Sequence, residues 1–223
     1  MVNLIKSFIK NNIPIGRMSY SQEGEDLILN RIFNAMELKK GFYVDVGAHH
    51  PYRFSNTLLL YRQGWNGINI DPIPGSKIVF DKKRGRDINI ECGVGDIEGE
   101  LTYYMFNDPA LNTFSLNEVT KKSNTKYFVR NEQKIKISRL DSILNKYLPA
   151  GIMIDLLNID AEGFDEKILL SNDWKKYRPK IILVEILNRD LYEIEDLSLV
   201  KLLRKEGYSI VAKTYNTYIW KLL

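Results

Sequence analysis

Five short apolar runs rich in β-branched or aromatic residues recur along the chain, at "GFYVDVG", "GINIDPI", "INIECGVG", "MIDLLNID" and "KIILVEIL", and stretches with helical spacing separate most of them. Runs of this length and composition read as strands buried on both faces. Strands alternating with helices imply an α/β fold: a mostly parallel, twisted sheet with helices on both faces. The helical patterns are "SQEGEDLILNRIFNAM" before the first strand, with Ser21 as candidate N-cap, and "SNTLLLYRQG" after it, capped by Ser55 and stopped by Gly64. "RLDSILNKYL" precedes the fourth strand, read over residues 152–160, and "LSLVKLLRKEGY" follows the fifth. The last two apolar runs, "YSIVAKT" and "TYIWKLL", are separated only by "YN", which predicts a C-terminal antiparallel hairpin. Residues 101–137 break the alternation and are expected to form an inserted flap over the site.

At 223 residues the chain suits one domain, expected over 18–223 after an N-terminal segment, 1–17. In "MVNLIKSFIKNNIPI", Lys6 and Lys10 interrupt the apolar positions, so the segment has neither a secretory core nor a membrane span. It reads as a short amphipathic helix that packs on its own domain or makes peripheral contact with a membrane surface or a partner. Cys92 is the only cysteine, which excludes an intrachain disulfide and fits a reducing, cytoplasmic setting. The net charge of +4 is small and spread along the chain, giving no footprint for nucleic acid.

Ligands of an open parallel sheet bind beyond the carboxyl ends of its strands. The first run ends in Asp45-Val46-Gly47-Ala48, where Gly47 lets backbone approach a ligand closely, and both histidines of the chain, His49 and His50, follow it. The second run ends at Asp71, whose carboxylate can accept two hydrogen bonds from a ribose diol. Gly47 lacks the second and third glycines of a pyrophosphate-binding turn, and Pro51 stands in the turn, which disfavours NAD or ATP. The fourth run ends at Asp160, with Glu162 at a spacing that returns to the same face and Gly163 freeing the turn. Glu185 lies in the fifth apolar run, where an ionised carboxylate is costly unless paired or used. Acids from two strand ends thus face one crevice.

The stretches "YSQEGEDLIL", "YVDVGAHHPYRFSNT", "GWNGINIDP", "LDSIL", "LNIDAEGFDEKIL" and "ILVEI" resemble the FkbM family of S-adenosylmethionine-dependent methyltransferases, from about residue 18 to 187. The resemblance implies a Rossmann-like methyltransferase fold and methylation of a hydroxyl. The acceptors it implies are often sugars of surface glycans, such as capsule or polysaccharide precursors and sugar nucleotides, or natural products. By the same resemblance Asp45, Gly47 and Ala48 lie along the methionine part of S-adenosyl-L-methionine, Asp71 holds its ribose, and Gly93 and Val94 border its adenine. Gln22 and Glu25 reach its amino-acid end or serve as capping and solvated positions of the first helix. Many members carry Asn where this chain has His49.

Asp160, Glu162, Glu185 and His50 are the groups available to accept a hydroxyl proton. His49, Asn112 and Thr113 are candidates for acceptor contact. Asp160, Glu185 and Asn188 could present oxygens to Mg²⁺, although a metal-free base is the leading expectation; structural zinc is disfavoured by one cysteine and an adjacent histidine pair. A binding module that kept the fold without catalysis is the competing class, against which the intact strand-end acids count. The Asn-Pro-Pro-aromatic signature of amino-group methylation is absent.

Overall fold

A computed structural model describes residues 16–187 and 189–223. Most of the segment read as an amphipathic helix, and Asn188, lie outside the described residues. After helix α1 (Glu25–Ala35) the chain alternates β1 (Phe42–Val46), α2 (Leu58–Arg62), β2 (Asn66–Asp71), α3 (Ser76–Lys83) and β3 (Ile88–Glu91). An inserted unit follows, made of β4 (Gly93–Val94), β5 (Gly99–Phe106), a 3-10 turn (Pro109–Leu111), α4 (Leu116–Lys122) and β6 (Val129–Ser138). The alternation resumes with α5 (Leu140–Tyr147), β7 (Leu156–Ile159), α6 (Asp165–Leu170), β8 (Ile181–Glu185) and α7 (Ser198–Lys205), and ends in β9 (Tyr208–Lys213) and β10 (Thr217–Leu222).

The main sheet has the order β3-β2-β1-β7-β8-β10-β9. Its first five strands are parallel, and β10 runs antiparallel between β8 and β9. Chain order reverses between β1 and β7, so the crevice of this sheet opens at their carboxyl ends.

Period-2 alternation sorts the strand residues onto two cores. Val44, Ile68, Leu157 and Ile182 face one side, where Leu140, Ile143, Ile168 and Val200 of α5, α6 and α7 cover them. Tyr43, Leu156, Ile181 and Leu183 face the other, against Leu29, Phe33 and Leu60 of α1 and α2 and against Trp65. Asn69, Asp45 and Asn158 stand in register across β2, β1 and β7, a buried polar row at the height where the sheet meets the crevice.

Three local readings need correction. Helix α1 starts from Gly24 in a left-handed conformation, while the Ser21 hydroxyl folds onto the Asp26 carboxylate (3.0 Å), so Ser21 is not the N-cap. The third apolar run is two strands: Ile88–Glu91 belongs to the main sheet, but beyond Cys92 the pair Gly93–Val94 joins β6 of the insertion. The fourth strand begins at Leu156 rather than 152, because the Asp155 carboxylate accepts the Phe42 amide (2.9 Å) and ends the extended approach there. The hairpin at Tyr215-Asn216 forms as expected, with the Thr214 amide bonded to the Thr217 carbonyl (2.9 Å). No helix among the described residues is long and apolar enough to cross a membrane.

Candidate active site

The carboxyl ends of β1, β2, β7 and β8 and the insertion enclose a cavity of about 310 Å³. Gly47 makes its floor. Its backbone is left-handed (φ 78°), and a Cβ there would fall 1.8 Å from the Asp160 carbonyl oxygen, so only glycine lets the ends of β1 and β7 meet. Asp45, one residue into the strand, is almost fully buried, and its oxygens accept from Thr57 Oγ1 (2.6 Å) and Asn158 Nδ2 (2.8 Å). Burial raises its pKa, and those two hydrogen bonds oppose the shift.

Asp71 closes β2. One oxygen accepts the His49 amide (2.7 Å) and the other the Ile73 amide (2.8 Å), which orients the carboxylate and leaves lone pairs toward the cavity it lines. Burial pushes its pKa up to about 6 against the pull of these two amides.

At the ends of β7 and β8, Asp160, Glu162 and Glu185 each bring an oxygen within 4.8 Å of the others. Loss of water and then the Glu185 charge hold Asp160 well above the carboxylate range, and burial followed by Glu162 pushes Glu185 up to about 8. Like charges this close share protons rather than ionise together. Glu162, whose backbone is left-handed (φ 50°), is paired with Lys122 from α4, and its carbonyl accepts Thr113 Oγ1 (2.8 Å). The insertion is thereby anchored to the turn after β7. Lys122 lowers the Glu162 pKa against the larger rise from burial.

The opposite rim is the loop after β1. His49 (φ 52°) and Phe54 (φ 56°) are left-handed, their rings stack, and Arg53 lies over Phe54 and 3.7 Å from Asp108 of the insertion. Burial and the Arg53 charge lower the His49 pKa to about 4, so its ring is neutral near pH 7. Its Nε2 is buried without a hydrogen-bond partner in the cavity wall.

Of the residues named from sequence, the structure brings Asp45, Gly47, Ala48, Asp71, Gly93, Val94, His49, Asn112, Asp160, Glu162 and Glu185 to the cavity, with Gln22 at its exposed edge. Three others are not on it. His50 turns away, and its Nδ1 accepts the amides of Tyr52 and Arg53 (both 3.1 Å), so it shapes the loop and is not placed to take a substrate proton. Glu25, the first residue of α1, is buried and accepts Thr217 Oγ1 (3.1 Å) of β10. The Thr113 hydroxyl is spent on Glu162 and on the Ser115 amide (2.9 Å). Asn112 lines the cavity and is oriented by the Phe106 amide (2.7 Å). Asn188, one of the three oxygens suggested for a cation, lies outside the described residues.

Sequence reasoning missed Asn56, Ser55, Arg53, Tyr103 and Asn158 on the cavity wall. The polar residues of "RFSNT" and the Asn158 of "LLNID" were the available signal, since a polar side chain at an inward-facing strand position is costly unless paired.

The wall fits S-adenosylmethionine and not a dinucleotide. Helix α2 begins only at Leu58, so no helix N-terminus follows Gly47 to receive a pyrophosphate. What the wall offers instead is an oriented carboxylate at Asp71, the close-packed glycine floor, the unpartnered Nε2 of His49 and a cluster of acids that suits a positively charged group.

The sequence matches the methyltransferase FkbM domain over residues 45–210. No curated protein matches this chain. Among solved structures, a TehB-like SAM-dependent methyltransferase from Corynebacterium glutamicum is similar at 10% identity and TM-score 0.40, covering 100% of this chain and 96% of that one. A candidate O-methyltransferase from Klebsiella pneumoniae is similar at 10% identity and TM-score 0.45, covering 99% and 96%.

Proposed function

This chain belongs to the FkbM methyltransferase family and is an S-adenosylmethionine-dependent methyltransferase, and from that premise we propose that it methylates a hydroxyl of a sugar, as a sugar nucleotide or surface-glycan precursor. The observation that carries the reading is the carboxylate pair at the ends of β7 and β8: Asp160 and Glu185 line the cavity, make no side-chain hydrogen bond to the described residues, and are both held above the usual carboxylate range by burial and by neighbouring negative charge. A carboxylate with a raised pKa is matched to accept a hydroxyl proton, and carboxylates beside amides such as Asn112 and Asn56 suit the vicinal hydroxyls of a sugar.

When bound, S-adenosylmethionine supplies a methyl group on a positive sulfonium, and S-adenosylhomocysteine leaves. The protein aligns the acceptor oxygen and takes its proton. Asp71 would hold the ribose diol, Gly47 and Ala48 would leave backbone room along the methionine part, and Gly93 and Val94 would border the adenine. Asp160, in its ionised form and next to Glu185, receives the hydroxyl proton as the oxygen forms its bond to carbon. Positioning contributes the larger part of the rate, and the base adds about 10²- to 10⁴-fold. Lys122 pairs with Glu162 and opposes the rise that burial gives its pKa, whereas Asp160 and Glu185 have no cation paired with them among the described residues.

The test is incubation of the protein with methyl-labelled cofactor and a panel of sugar nucleotides, free sugars and non-sugar alcohols, read by mass spectrometry. Label on one sugar oxygen is the expected result. Label only on a non-sugar alcohol would move the acceptor to natural products. Binding of S-adenosylhomocysteine with no transfer to any acceptor, including glycan extracts, would favour a binding module.

A further inference from the structure

We infer that Arg84 is the positioning residue of the cofactor cradle. It follows α3, some distance along the chain from the cavity, and does not line it; yet its side chain is fully buried and reaches the loop that does. Its guanidinium donates twice to the Pro51 carbonyl (3.2 and 3.1 Å), to Ser55 Oγ (2.8 Å) and to Thr57 Oγ1 (3.3 Å). A fifth bond goes to the Tyr43 hydroxyl (3.1 Å), which itself donates to Asp87 (2.5 Å), and Asp87 balances the buried charge from 3.8 Å.

These contacts lead to both acids of the cradle. Thr57 in turn donates its hydroxyl hydrogen bond to Asp45 (2.6 Å), so the guanidinium sets the direction of that hydroxyl. Pro51 lies two residues after His49 and Ser55 directly after Phe54, the two residues of this loop that hold left-handed backbone, a conformation that persists only where the surroundings enforce it. The His49 amide from that stretch orients Asp71 (2.7 Å). A planar fork with five donors satisfies these acceptors together; a lysine ammonium, with three donors on one atom, cannot reach Pro51 and Ser55 on one side and Tyr43 and Thr57 on the other.

The inference rests on the placement of the cofactor against Asp45 and Asp71. Its test is S-adenosylhomocysteine affinity by calorimetry together with the thermal midpoint of the ligand-free protein, measured for Arg84→Lys, Tyr43→Phe, Ser55→Ala and Asp71→Ala. The expected result is at least about tenfold weaker binding for folded Arg84→Lys and several-fold for Ser55→Ala. Tyr43→Phe disturbs the same buried network without touching the loop, so its midpoint falls while affinity stays within about twofold. Equal affinity in wild type and folded Arg84→Lys overturns the inference, as does an affinity loss in Tyr43→Phe as large as that of Ser55→Ala, which would make the network merely structural. Should Arg84→Lys not fold, Thr57→Val, which removes the hydroxyl between Arg84 and Asp45 and lies off the cavity wall, takes its place: several-fold weaker binding is expected, and unchanged affinity overturns the inference. Unchanged affinity in Asp71→Ala would instead refute the cofactor placement, which separates that failure from this one.

Discussion

At the scale of single residues, the chemistry turns on which carboxylate holds a proton. If Asp160 accepts the hydroxyl proton, Asp160→Asn keeps shape and removes the base. We expect kcat at least about 10²-fold lower, with S-adenosylhomocysteine affinity within a few-fold. Running the assay with EDTA and then with restored Mg²⁺ separates the base from a bound cation: indifference to EDTA keeps Asp160 as base, whereas loss and recovery recast Asp160 and Glu185 as ligands. Glu185 makes a second, thermodynamic prediction. Its pKa rises from 4.5 to about 8 on folding, so across that window the folded protein holds a proton that the unfolded chain has released. Stability is therefore greatest at the acid end of the window and declines as pH rises toward 8. Glu185→Gln cannot ionise and escapes the decline. Its thermal midpoint should exceed that of the wild type at pH 8.5 and match it near pH 5; a higher wild-type midpoint at pH 8.5 would show that Glu185 gains more from its neighbours than burial costs it.

At the scale of elements, the site depends on how closely β1 approaches β7 and on how the insertion is held. Gly47→Ala places a Cβ 1.8 Å from the Asp160 carbonyl in a backbone conformation that alanine resists. The ends of the two strands must part, and we expect a loss of about 3 kcal/mol or more in urea unfolding, together with loss of S-adenosylhomocysteine binding. A stable Gly47→Ala that still binds would mean that the sheet can open there at little cost. The segment before α1 is tied in as well: the Glu23 carboxylate accepts Thr214 Oγ1 (2.7 Å) and the backbone and side-chain amides of Asn216 (2.9 and 3.0 Å), so the C-terminal hairpin fixes the stretch that carries Gln22 to the edge of the cavity.

At the scale of the whole molecule, the cavity joins parts of the chain far apart in sequence, and a ligand in it couples them. A ligand that binds only the folded state at about 100 times its Kd adds about 2.7 kcal/mol of stability. S-adenosylhomocysteine should accordingly raise the thermal midpoint in a concentration-dependent way, and NAD should leave it unchanged. A shift with NAD equal to that with S-adenosylhomocysteine would contradict the reading of the turn after β1.

The architecture was legible because its signals are local. Period and composition mark the strands of "GFYVDVG" and "KIILVEIL", and the rule that ligands gather at strand ends gives Asp45, Gly47, Asp71, Asp160 and Glu185 their meaning before any coordinate is known. Lys122 on Glu162, Arg53 beside Asp108, and Arg84 beneath Pro51 and Ser55 were not legible. Each pair joins segments whose meeting is decided by the packing of the insertion or of α3, and neither partner carries a sign of the other. The histidine pair shows the same limit at the smallest distance. Nothing in "AHHP" says which ring enters the cavity; a left-handed backbone at His49 sends that ring to the wall and leaves the ring of His50 to bind the amides of its own turn. Sequence alone determined the alternation of strands and helices in the main sheet and the end of the sheet at which chemistry occurs, because both follow from short-range pattern. Only the tertiary structure decided which polar groups share the cavity, because burial and charge pairing are properties of neighbours in space.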